Sequence, residues 1–185
     1  MLGRPTIAWL VLAGALVATA ARAQEAAQPV DAAAEARRQY NLGRTAYEAG
    51  RYADGALAWE AAAAIKPHAA TLFSAALAWE KASQPERAAD DFARAMSLPG
   101  LTAQQTATAK DRLAQLEATL GSLDATGPAG WRVQLDALTE VPVPAHLHAA
   151  PGPHVLAIHP SNGEPAGARD VALEAGKTTP VDVTP

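Results

Sequence analysis

Four of the chain's five histidines, His146, His148, His154 and His159, crowd into the fifteen residues HLHAAPGPHVLAIHP. Imidazoles gathered this way are suited to zinc or copper. On a strand, His146 and His148 point to one face about 7 Å apart, and a hairpin turning at Pro151-Gly152 sets His154 across from His148. Three nitrogens would then converge. Against a metal stand two features of the local sequence: residues 141–160 hold no carboxylate or thiol to complete a site, and His159 has the opposite strand parity from His154. A hairpin that merely carries imidazoles is therefore the first expectation, no metal ligand is assigned, and metal binding through His146, His148 and His154 is the alternative.

Other chemistries have less to work with. The sequence contains no nucleophile elbow, no phosphate-cradling glycine loop and no HExxH. Ser161 follows His159 too closely across a turn for that proximity to carry weight. The paired carboxylates Asp90-Asp91 read as the solvated side of an amphipathic helix. The expectation is a protein that is not an enzyme, with no catalytic residue and no cofactor.

The elements that would carry these residues change character near Gly121. Residues 32–120 are alanine-rich, with long runs free of proline, whereas residues 121–185 hold nine of the fourteen prolines and short runs alternating at period two. The fold class expected is α+β. About five helices span 32–49, 52–65, 69–82, 86–98 and 102–120, followed by a small antiparallel sandwich or barrel of five to six strands. Gly50, Pro67 and the Ser83-Gln84-Pro85 stretch punctuate the helices where caps and first turns need them.

Ahead of both lies a leader. Arg4, the apolar run from Ile7 to Ala20 and the small-x-small triplet Ala21-Arg22-Ala23 together predict a secretory signal over residues 1–23. A disordered mature N-terminus is expected over 24–31, and an uncleaved anchor is the alternative for the leader. Removing Arg4 and Arg22 leaves 13 Lys and Arg against 19 Asp and Glu, a formal charge of −6. That balance, with no cationic cluster beyond Arg37-Arg38, argues against nucleic acid and anionic membrane surfaces. With no cysteine, the fold tolerates an oxidising compartment and must rely on packing. A periplasmic or secreted location follows, with no membrane insertion after signal removal.

Sliding the helical half by 33 residues superposes Gly43 on Ala76, Ala46 on Trp79, Trp59 on Phe92 and Ala62 on Ala95. The stretch LGRTAYEAGRYADGALAWEAAAAIKP resembles a tetratricopeptide repeat through Leu42-Gly43, Gly55-x3-Trp59 and Pro67. In the second unit, Leu72, Ala75-Ala76, Trp79 and Ala88-x3-Phe92 continue the resemblance, which covers residues 36–102. The chain departs from the pattern at Tyr47, one place late, and at Gly100, where proline is usual. Residues 121–185 resemble a PEGA-type β domain of bacterial envelope proteins, through GPAGWRVQLD and the turn Pro151-Gly152-Pro153-His154. Ala137 and the missing Gly-Tyr after Ile158 depart from that family.

The repeat resemblance implies a concave face lined by the first helix of each pair. Tyr40, Arg44 and Tyr47 fall on one side of the first such helix, and Phe73, Leu77 and Glu80 on one side of the second. An aromatic groove with an arginine suits an extended peptide or an amphipathic helix. The two-lysine, two-asparagine clamp that some members use on terminal carboxylates is not visible. The expected function is a protein-protein interaction scaffold for a peptide or protein partner in the cell envelope, with a purely structural spacer as the other alternative.

Overall fold

A computed structural model describes residues 31–161 and 167–184. The expected leader and the segment 24–30 lie outside the described residues. Asp31, at the end of the stretch expected to be disordered, instead caps the first helix, its carboxylate accepting from Ala33 N. Five helices come first: α1 Ala32–Glu48, α2 Tyr52–Ile65, α3 Ala69–Lys81, α4 Pro85–Ser97 and α5 Ala103–Glu117. None of the described helices is long and apolar enough to cross a membrane.

The 33-residue recurrence is built into the packing. Ala46, Trp59 and Ala62 are buried, as are their counterparts Trp79, Phe92 and Ala95. Where α1 crosses α2, a Cβ on Gly43 would lie 2.6 Å from Trp59 Cδ1 and 2.9 Å from the Gly55 carbonyl oxygen. Only glycine admits so close an approach of two backbones. The second crossing has fully buried Ala76 and Ala88 at the equivalent places, with the smaller Phe92 in place of the tryptophan. Both pairs also end their first helix alike. Gly50 N and Arg51 N donate to the carbonyls of Tyr47 and Ala46, and Ser83 N and Gln84 N donate to those of Glu80 and Trp79. The left-handed residue is Gly50 (φ 75°) in one and Ser83 (φ 56°) in the other.

Helix α5 opens on a capping box, Thr102 with Gln105. It lays Ala109, Leu113 and Leu116 against the helical core. The chain then passes directly into seven strands: β1 Gly121–Thr126, β2 Arg132–Leu135, β3 Val141–Pro142, β4 Ala145–Ala149, β5 Gly152–His159, β6 Gly167–Leu173 and β7 Thr178–Asp182. They form two sheets, ordered β4-β1-β7 and β3-β2-β5-β6. Leu123, Ala125, Leu147 and Val181 from the first sheet share one buried cluster with Val133, Leu135, Leu156, Ile158, Val171 and Leu173 from the second.

Three expectations are corrected here. The β half is not wholly antiparallel, because its first and last strands, β1 and β7, pair in parallel. The turn at Pro151-Gly152 does not close a hairpin: β4 and β5 lie in different sheets, so the chain crosses from one to the other there. Asp90-Asp91 is not a solvated pair. Asp91 is 1% exposed, since it shares the Ala88, Phe92, Ala95 stripe of α4, and Asp90 is covered by β4.

Candidate functional site

The outer face of the β4-β1-β7 sheet is polar, and its β4 edge meets α4. Strand alternation puts Leu123 and Leu147 inward, so Ser122, Asp124, His146 and His148 share the other face, with Asp124 opposite His146 and Ser122 opposite His148. β4 is an edge strand, and α4 covers it. One oxygen of Asp90 accepts both the backbone N–H of His148 at 2.9 Å and its ring Nδ1 at 2.8 Å. This fixes the ring, which is 0% exposed. Burial pushes the Asp90 carboxyl up, while the bonds from His148 pull against it.

The second imidazole is held in the same manner, with His146 Nδ1 2.5 Å from Asp124 Oδ1. Both rings thus offer Nδ1–H to a carboxylate and turn Nε2 toward a common point, the two Nε2 atoms being 3.3 Å apart. Glu117, the last residue of α5, brings an oxygen to 3.6 Å from His148 Nε2. One ligand atom from each of Glu117, His146 and His148 lies within 4.8 Å of the others.

The metal alternative built on His146, His148 and His154 needs correction in its third member. His154, on β5 in the other sheet, pairs with Val171 of β6. Its Nδ1 meets Asp136 Oδ2 at 2.5 Å and its Nε2 meets the Ala150 carbonyl at 2.7 Å. Both nitrogens thus face acceptors, which favours the imidazolium. Partial burial pushes its pKa down, but the bonds to Asp136 and Ala150 outweigh that and leave it raised. The backbone N–H of Val155 and then His154 hold Asp136 below the usual carboxylate range.

The missing carboxylates come from outside residues 141–160. Asp124 was detectable, because Leu123 and Ala125 alternate with it on β1. Asp90 and Glu117 were not, because only the docking of the helices on the sheet brings them in.

On the helical side, Tyr40 (40% exposed) and Arg44 stand outward on α1. Arg44 reaches Glu48 at 4.0 Å across solvent. The Tyr40 and Tyr47 rings both lie against Trp59, with centroids at 6.3 and 5.5 Å. Tyr47 also meets Tyr52 edge-on at 5.2 Å. Lys81 of α3 sits over the Tyr47 ring at 4.8 Å, a contact the spacing did not suggest. Leu77 is partly buried against the helical core, and Glu80 faces Arg112 of α5 at 3.8 Å. Phe73 does not join this face. It is 8% exposed and packs edge-on to Phe92 at 5.8 Å, because α3 is flanked by both α2 and α4.

Inside the helices, Trp79 Nε1 donates to Glu60 Oε1 at 2.6 Å and Arg87 stacks over the same indole at 4.2 Å. Asp91 lies beside this group. Burial, with Glu60 beside it, pushes its carboxyl well up. Its Oδ1 accepts from Arg94 at 2.8 Å, while Oδ2 has no partner among the described residues. This reads as a structural knot between α2, α3 and α4.

Set against known proteins, the chain matches no protein-family model, no curated protein sequence and no solved structure.

Proposed function

We propose that the protein is a non-enzymatic interaction scaffold of the bacterial envelope, secreted or periplasmic. In this reading α1–α4 are two tetratricopeptide-like units capped by α5, and the seven strands form a PEGA-like β-sandwich that orients them. The observation that carries the reading is the buried 33-residue stripe. It places the recurring small and bulky residues at the helix crossings and leaves Tyr40 and Arg44 outward on α1. With Tyr47 and Lys81 beside them, these side chains offer aromatic surface and two cations to an extended peptide bearing apolar groups and a carboxylate.

Crosslinking in intact envelopes, followed by capture and mass spectrometry, tests partner and location together. Wild type should retain a discrete partner, and a Tyr40→Ala, Arg44→Ala variant with an unaltered melting temperature should lose it. Unchanged capture by that variant would favour a structural spacer.

A further inference from the structure

We propose that Glu117, His146 and His148 form a three-ligand site for a zinc-like divalent transition metal, stapling the end of α5 to β4. As carboxylates, Asp90 accepts both the backbone N–H of His148 and its ring Nδ1–H through Oδ1, and Asp124 accepts the Nδ1–H of His146. With Nδ1 of each ring turned to a carboxylate, the two Nε2 atoms face each other at 3.3 Å. Lone pairs at that distance repel unless a proton or a cation stands between them.

Geometry and charge favour the metal. Zinc–nitrogen bonds of about 2.0–2.1 Å arranged tetrahedrally set the ligand atoms roughly 3.3–3.4 Å apart. The two Nε2 atoms are separated by 3.3 Å, and Glu117 Oε1 is 3.6 Å from His148 Nε2. Any remaining adjustment falls to Glu117, whose side chain is 45% exposed and free to rotate.

Three carboxylates, Asp90, Asp124 and Glu117, surround the two rings. None of them has a Lys or Arg ion-pair partner among the described residues. The C-terminal end of α5 adds its own partial negative charge. A carboxylate on the far nitrogen of each ligating imidazole is also the arrangement that orients histidines on zinc and raises their basicity. Asp90 and Asp124 are accordingly positioning residues, while His146, His148 and Glu117 ligate. Exposure of His146 and Glu117 leaves a fourth position open to water.

Calorimetric titration of the untagged, chelator-treated full-length protein with zinc chloride tests this, alongside melting curves with zinc, copper or magnesium. The expected result is one zinc per chain, a raised melting temperature with zinc and with copper, and no effect of magnesium. Zinc affinity should fall at least about 100-fold in His146→Ala. In Asp124→Asn, which removes no ligand, it should fall roughly 10- to 100-fold. His154→Ala should bind as wild type does. His146 is exposed, so its alanine variant keeps the apo fold, and an apo melting temperature equal to wild type checks that. Absence of heat and of any melting shift at saturating zinc and copper would overturn the proposal. Binding that survives His146→Ala combined with Glu117→Gln would overturn it equally, as adventitious surface binding.

Discussion

Asp91 shows how a single buried carboxyl can be a liability in an otherwise well-packed helix. Burial and the neighbouring Glu60 raise its pKa. Stability tied to the protonated form is therefore complete below the unfolded value of about 3.9 and is lost as pH rises through the folded one. Asp91→Asn keeps the acceptor for Arg94 and turns an amide donor toward Glu60. The variant should gain about 1 kcal/mol at pH 8, a gain that shrinks as pH falls, as read from denaturant melts across a pH series. His154 and Asp136 behave differently because each prefers its charged form. The raised histidine, with Glu86 of α4 contributing, stabilises below about 6.5 and fades as pH rises through its folded pKa. The lowered aspartate stabilises above about 3.9 and fades as pH falls through its own. The pair's contribution is fullest between about pH 4 and 6.5. His154→Gln should lose stability relative to wild type mainly inside that window, in melting temperatures measured from pH 4 to pH 9. Helical spacing did hold a sign of Asp91, since residues 88, 91, 92 and 95 form one stripe. Its pairing with Asp90 suggested solvent instead.

Among the elements, the helices were the most legible part of the sequence, since period, glycine and proline punctuation and capping residues are all local signals. Tyr52 and Ile65 bound α2 where those signals place them. The strands were legible by alternation, as Leu123, Val133 and Val171 illustrate, but their partners were not. Pro151-Gly152 looks the same whether the chain folds back in one sheet or passes to another, and only the shared apolar cluster decides between them. The matched helix ends offer a test of element-level energetics. Ser83 occupies the left-handed position that Gly50 fills 33 residues earlier. A residue with a Cβ pays about 1–2 kcal/mol there, partly offset by the greater chain entropy of glycine. Ser83→Gly should stabilise the protein by a few tenths to about 1 kcal/mol in denaturant melts, whereas Gly50→Ala should destabilise it by a similar amount.

At the scale of the whole molecule, the seam between helices and sheet is where sequence reasoning had least purchase. Asp90 and His148 stand 58 positions apart, and no local pattern ties them. The seam also bears on stability. Without the helices, an isolated fragment of residues 119–185 would leave the His148 N–H on a bare edge strand and lose a charge-assisted bond of about 1.5–3 kcal/mol. For so small a domain this corresponds to a melting temperature lower by on the order of 10 °C than in the intact chain, a difference that calorimetry of both would detect. The parallel pairing of β1 with β7 has a consequence in time. Because β1 takes β4 on one side but finds its other neighbour only in β7, with Ser122 and Thr178 standing 56 positions apart, the β4-β1-β7 sheet cannot be completed until that later strand has emerged. The helices, with their short-range contacts, are free to assemble first. Their early presence shields the edge of β4 from other chains until the sheet is complete.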